Sequence, residues 1–396
     1  MRRAQNSIAG FTLMELMVAA FAGLLVVGGA VTLFSRALKA SWITSEKSEM
    51  QQDLRAAATL MQNDISMAGA GAVGQQGLQN NGVGLPNGAG SSKSVYPCST
   101  VSCNYVNGGS VTYPLSPSGV PTLYSIVTGP NLGITVNAAT GPSDILTVNS
   151  ADPTLTLNCY SASIDPTGTI VTFQAPTVQP ATCILPQMDD GTTETGITYP
   201  QNLMDPNVGL QLGDMVLFGT NAVGVVTSIS TCSPTTGNAA CYTVDFAATD
   251  IGKINQPGTS GSLTQFVPAG ATGPTALSAT AVRLTFVTYY LDLSPMDGVT
   301  PRLMRIQTGR LPAPVAENVV NLKFTYDVNN NGTISANVAT LPAGTTPGMI
   351  TQVNIAHLAI RSQLPGITGY QGFDLQTGIS ARNLSFLQQY PITPSN

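Results

Sequence analysis

The chain has 396 residues, of which only 9% are charged, against roughly 25% in typical soluble domains. The net charge is −5, only Lys93 and Lys253 are basic between Ala56 and Val282, and there is no basic run, so the electrostatic footprint of a nucleic-acid binder is excluded. The length allows two ordinary domains or one enlarged by insertions. A surface of Gly, Thr, Ser, Asn and Pro belongs to exported β-rich proteins rather than to cytosolic enzymes.

The chain opens with nine residues carrying Arg2 and Arg3, followed by Gly-Phe-Thr-Leu-Met-Glu at 10–15. From Phe11 to Phe34 the only ionisable side chain is Glu15. A bilayer core about 30 Å thick needs roughly twenty apolar residues in a helix, so 11–34 is long enough to span it. Three readings compete for this N-terminus. A secretory signal has a shorter apolar region of about 7–15 residues and a small-residue cleavage site. A plain anchor fits the length but gives Glu15 no task, although a carboxylate in such a segment costs about 2–3 kcal/mol. The third reading rests on GFTLME, which closely resembles the class III signal of type IV prepilins. That resemblance implies cleavage after Gly10 by a prepilin peptidase, N-methylation of Phe11 and retention of the apolar segment. It also gives Glu15 a role. The new amine of one subunit meets Glu15 of a neighbour in a low-dielectric filament core, where opposite charges attract strongly. The blander alternatives are that Glu15 snorkels to the headgroups or pairs with its own amine.

Beyond Phe34, apolar residues recur at Leu38, Trp42, Met50, Leu54, Ala57, Met61 and Ile65, mostly at gaps of three or four. This is the amphipathic helix period. The first proline is Pro86 and Gly69-Ala70-Gly71 is a stop signal, which predicts one helix from Phe11 to about Met67, roughly 85 Å long. Gly23, Gly28 and Gly29 either allow it to bend or act as small packing residues. Trp42 is an interface anchor or a residue packed beneath the head, and packing is the preferred reading.

Residues 70–142 read as a Gly/Asn/Ser-rich insertion with short strands. From Ser143 short β runs follow at Asp144–Asn149, Thr169–Phe173, Asp214–Phe218, Val223–Ile229 and Cys241–Phe246, with a hairpin turn at Gly219–Ala222. Ala281–Leu291 (AVRLTFVTYYL) is the strongest strand signal, followed by Arg302–Thr308, Val319–Tyr326, Gln352–Arg361 and Ile379–Phe386. Without βαβ alternation the sheet is expected to be antiparallel and the head α+β.

The cysteines fall in three local pairs, Cys98/Cys103, Cys159/Cys183 and Cys232/Cys241. An even number in an exported chain favours disulfides, and neighbour pairing is the expectation among fifteen connectivities. Without CxxC and with His357 as the sole histidine, zinc spacing is missing. His357 reads as a half-buried strand residue. No GxSxG elbow, P-loop or HExxH occurs, and Asp189-Asp190 with Glu194 is the only local acidic cluster, so the chain reads as non-enzymatic. Asp327, Asn329, Asn331 and Gly332 match the first half of a calcium loop, but Val338 stands where a bidentate Glu is needed. The favoured reading there is an Asn-Gly hairpin turn, with calcium a weak candidate and no other cofactor expected.

In order along the chain, GFTLMELMVA, SDILTV (143–148), LGDMVLF (212–218), TFVTYYLD (285–292), PRLMR (301–305), PVAENVVNLKFTYDVNNNG (314–332) and the closing Arg382-Asn383 resemble the PilW family of type IV pilus assembly proteins, which are minor pilins. The resemblance implies a leader (1–10), a transmembrane half-helix (11–34) and an amphipathic half-helix (35–69). The 70–142 insertion and a β-rich head (143–396) then follow. The implied fold is α+β and type IV pilin-like, with the helix packed under an antiparallel sheet bearing large loop insertions. It also implies an inner-membrane single-pass protein with a periplasmic head, later part of the pilus. Its expected partners are other minor pilins, the major pilin, the peptidase and inner-membrane lipid. A type II secretion pseudopilin and a tip adhesin are the rival roles.

Overall fold

The computed structural model describes residues 12–70, 83–85, 122–362 and 369–381. Single positions and short stretches within 122–362 are outside the description: 153, 156, 182, 184, 186–198, 220–221, 251–253, 256–261, 278, 294–297 and 309. Helix α1 (Leu13–Ser66) is continuous, and it runs through Gly23, Gly28 and Gly29 without a break. Its apolar period buries Met50, Leu54, Ala57, Met61 and Ile65. The helix stops where Gly69 turns left-handed (φ 72°) and donates its N–H to the Asn149 carbonyl, a termination that glycine allows without a Cβ penalty. Leu38 and Trp42 share the period but are exposed. Trp42 is 58% accessible within its unit.

The described residues form two compact units. One comprises the chain up to Gln52 with Ser362–Gln371, and the other comprises Asp53–Arg361 with the chain from Gly372. In the first, every residue from Thr12 to Trp42 is exposed, and Ser362 and Gln371 exchange hydrogen bonds.

The second unit is built on antiparallel sheets. β1 (Val83–Gly84) pairs with β2 (Thr122–Leu123). β3 (Ile126–Gly129) and β4 (Ile145–Ala151) belong to a seven-stranded sheet. β5 (Ser161–Ile164) and β6 (Ile170–Pro176) start a five-stranded one. The hairpin β7 (Met215–Phe218) and β8 (Ala222–Val225) returns to the first sheet, with Phe218 opposite Ala222 as the turn at 219–222 predicts. β9 (Ser228–Thr231), β10 (Asn238–Asp245) and β11 (Thr275–Ala276) complete the second in the order β11-β5-β6-β10-β9. β12 (Ala281–Asp292), β13 (Arg302–Gln307) and β14 (Ala313–Glu317) give the first its order β14-β13-β12-β4-β3. β15 (Val319–Asn330), β16 (Thr333–Val338), β17 (Ile350–Arg361) and β18 (Gly372–Ser380) make a four-stranded sheet ordered β16-β15-β17-β18.

The architecture is therefore α+β, with a long N-terminal helix and antiparallel sheets. Two expectations need adjustment. The run Val223–Ile229 is not one strand, because the chain breaks at Val226-Thr227 and β8 and β9 enter different sheets. The last strand, expected at 379–386, is described as β18 and ends at Ser380; Arg382 and Asn383 lie outside the described residues.

β12 organises the head. Its residues 287–292 pair with β13 and 281–284 with β7 on one edge, while 284–289 pair with β4 on the other. Leu284, Phe286 and Tyr290 point into a core with Leu123, Val127, Leu217, Met304 and Ile306. The alternate residue Tyr289 points to the opposite face, where it meets the end of α1. Burial on both faces explains the near-continuous apolar run that marks this strand in the sequence.

Candidate functional site: the capped helix start and the clamp at its end

A helix start leaves four backbone N–H groups unsatisfied. Here Thr12 is the N-cap. Its hydroxyl accepts from the Glu15 N–H (3.3 Å), and Glu15 Oε2 in turn accepts from the Thr12 N–H and hydroxyl, both at 3.0 Å. Thr-Leu-Met-Glu is thus a reciprocal capping box. The pattern T-x-x-E was visible in the residues but is easily passed over when Glu15 is considered only as a charge. The carboxylate also sits in the first turn, where the helix dipole favours a negative group. Gly10 and Phe11 lie outside the described residues. The helix that follows is apolar as far as Phe34 but for Glu15, fully exposed over Leu13–Trp42, and the one described helix long and apolar enough to cross a membrane.

At the other end of α1, Asp64 interrupts the apolar stripe one turn after Met61. Asp64 Oδ2 accepts from Arg305 Nε (2.8 Å) and from the Tyr289 hydroxyl, and Oδ1 accepts from Arg305 Nη2 (3.2 Å). Tyr289 and Arg305 are cross-strand partners on β12 and β13, so one carboxylate ties the helix to two strands. The pair is largely desolvated, with side chains 24% and 17% exposed. Burial pushes the Tyr289 phenol far above its usual value, and the Asp64 charge adds to the shift. For Arg305 burial acts to lower the guanidinium, but the bonds to Asp64 prevail and hold it above its ordinary value.

A second buried cluster lies where β12 leaves β7. Arg283 forks onto Asp152 through Nε (2.8 Å) and Nη2, and Nη1 reaches the Gly209 carbonyl and Asp214 (3.4 Å). Burial pushes the Asp214 carboxyl above the usual range. The Gln211 N–H and the Arg283 charge oppose that shift, and Asp152 adds to it.

Two cysteine pairs form the expected neighbour disulfides, Cys159–Cys183 and Cys232–Cys241, both in the region of the five-stranded sheet. Cys98 and Cys103 lie outside the described residues, as do Asp189, Asp190 and Glu194. His357 is half-exposed on β17 and its Nδ1 lies 2.6 Å from Asp374 Oδ2 on the neighbouring edge strand.

The calcium candidate does not assemble. Asp327 and Asn329 lie in extended β15, and Asn331 (φ 50°) and Gly332 (φ 92°) form the two-residue turn to β16, with Asn330 opposite Thr333. Two successive positive φ values are what a tight hairpin requires. Two of the side-chain oxygens are engaged in separate bonds. Asp327 Oδ1 accepts from the Asn337 N–H and Asn354 Nδ2, and Asn329 Oδ1 accepts from the Gly332 N–H. An ion loop must instead wrap these oxygens around one centre.

No family model, curated protein or solved structure matches the chain.

Proposed function

We propose that this chain is a minor pilin of a type IV pilus. In this reading it is a non-enzymatic subunit that is held in the inner membrane by α1, processed at Gly10-Phe11, and joined to other minor pilins in a complex that primes pilus assembly, at or near the tip. The observation that carries the reading is the position of GFTLME. The motif leads directly into a capped helix that is exposed and apolar as far as Phe34, and the one carboxylate of that apolar stretch, Glu15, stands at its head. An α+β head stapled by disulfides suits an exported subunit of this kind.

The capping box sharpens the role given to Glu15. Oε2 is engaged by Thr12, and a carboxylate has about four acceptor sites. The remaining lone pairs are available to the amine of a neighbouring subunit, with no need to dismantle the cap. The test is Glu15→Gln beside Glu15→Ala. Gln retains the acceptor for the cap and removes the charge. Both variants are expected to be processed and membrane-bound, and both to be depleted from sheared pili by at least tenfold. Normal incorporation of Glu15→Gln would refute the charge-pair role.

A further inference from the structure

Where β4 begins, three side chains from distant parts of the sequence converge. Asp144 is buried, and its N–H donates to the Leu322 carbonyl on β15 while its Oδ2 accepts from the Phe324 N–H (2.8 Å). Its Oδ1 accepts from the Asn131 N–H at 2.8 Å and lies 3.1 Å from Lys323 Nζ. Lys323 Nζ in turn donates to the side-chain carbonyl of Asn131 at 2.6 Å and to the Pro142 carbonyl. The lysine and aspartate side chains are 20% and 5% exposed. Asn131 is held in a left-handed conformation (φ 58°) just after β3. The loop behind it is pinned by the Gly133 N–H to the Ser143 carbonyl (2.8 Å) and the Ser143 N–H to the Ile134 carbonyl (2.9 Å).

A primary amine, a carboxamide carbon and a carboxylate touching the amine are the parts of an amide-forming site. We propose that Lys323 and Asn131 become joined by an intramolecular isopeptide bond, with Asp144 as the catalytic residue that moves the proton. Asp144 takes one proton from the Lys323 ammonium. The neutral amine adds its electron pair to Asn131 Cγ, forming the new C–N bond. The tetrahedral centre then collapses with cleavage of the Cγ–Nδ2 bond, and Nδ2 leaves as an ammonium ion, having gained the proton returned by Asp144 and the one released by Nζ. The balance is an ammonium and a carboxamide giving a secondary amide and an ammonium ion, with no change in oxidation state and no further reactant. Contact between the groups supplies the proximity that intermolecular aminolysis of a carboxamide lacks. Lysine is also specifically required. The chain has five lysines and ten arginines, and an arginine here could make the same ion pair but could not act as the nucleophile. The product would covalently tie the seven-stranded sheet, through the loop after β3, to β15 of the four-stranded sheet.

The experiment is mass spectrometry on the purified full chain, reduced and alkylated, with a peptide map from a protease that cuts at aromatic and aliphatic residues. The expected result is a branched peptide joining Lys323 to Asn131, lighter than the two linear peptides by ~17 Da, the mass of ammonia. Lys323→Arg, which keeps the charge and its acceptors, is expected to give linear peptides only, as is Asn131→Ala. Asp144→Asn is expected to lower the linked fraction at least tenfold. Linear Asn131 and Lys323 peptides in the parent chain would overturn the proposal, and a fully linked Asp144→Asn chain would overturn the role of Asp144.

Discussion

Asp64→Ala tests the clamp at the end of α1. The substitution removes both hydrogen bonds from Arg305 and the one from the Tyr289 hydroxyl, while Arg305 and Tyr289 stay where β12 and β13 hold them. Breaking one partner out of a buried ion pair costs about 3–5 kcal/mol, because the other charge is left uncompensated. Side-chain exposures of 24% and 17% allow some water to reach the site and place this pair at the low end of that range. The orphaned phenol of fully buried Tyr289 adds about 1 kcal/mol. Against this, a carboxylate in the last helical turn opposes the dipole, so its removal returns about 0.5 kcal/mol. The desolvated pair dominates, and a net loss of about 3 kcal/mol is expected. The assay is urea unfolding of the full chain in detergent, followed by tyrosine near-UV circular dichroism; exposed Trp42 would be a poor reporter. Arg305→Met and the double variant complete a cycle, for which residues in direct contact predict a coupling above about 1 kcal/mol. A loss below about 1 kcal/mol for Asp64→Ala, or strict additivity in the cycle, would refute the clamp as an energetic link between helix and sheet.

Two further outcomes follow from the head. Because burial raises the Asp214 carboxyl in the folded state, the native chain holds that proton more tightly than the unfolded chain does, and stability falls as pH rises through the raised pKa. Asp214→Asn, which keeps an acceptor for the Gln211 N–H and leaves Asp152 to Arg283, is therefore expected to stabilise at pH 7 and to show no gain below the unfolded carboxylate value near ~4; equal denaturant midpoints at pH 7 would count against it. A Cβ on Gly224 in β8 would lie 2.5 Å from Phe246 Cδ1, a ring already held edge-on to Phe218 at 5.4 Å, so Gly224→Ala is expected to cost about 1–3 kcal/mol of overpacking. Phe246→Leu in the same chain should recover part of that loss, and a denaturant midpoint of Gly224→Ala equal to the parent's would defeat the steric argument.

The helix was legible because its signals are local. Met50 to Ile65 repeat at the helical period, and Gly69 ends the pattern where the backbone turns left-handed. Leu38 and Trp42 show the limit of that signal. Periodicity gives the face of a helix but not how far along it a partner extends, and both residues are exposed. The β12 run was equally plain, since both its faces are covered. Val223–Ile229 misled because its β-branched residues continue through Val226-Thr227, where the chain changes sheet, and carry no mark of that change. The polar contacts were the least legible. Asp64 and Arg305 are 241 positions apart, and Asn131 and Lys323 are 192 apart. No spacing rule reaches across such distances, and only the register of β12, β13 and β15 brings the partners together.

The route between β4 and β12 has a consequence for how this head can vary. The chain leaves the seven-stranded sheet at Ala151, and Leu284 of β12 pairs with that same residue. The five-stranded sheet, both described disulfides and the β7–β8 hairpin are all strung on the excursion between these neighbouring points. Exit and re-entry are already adjacent, so lengthening the path between them adds closure entropy only logarithmically, about 0.6 kcal/mol per doubling. The part of this excursion outside the β7–β8 hairpin, which itself pairs with β12, can be enlarged, trimmed or exchanged while β4, β7 and β12 keep their register. The helix clamp, at Tyr289 of β12 and Arg305 of β13, lies further along β12 than the 281–284 stretch that pairs with β7, and would not sense a change in the five-stranded part.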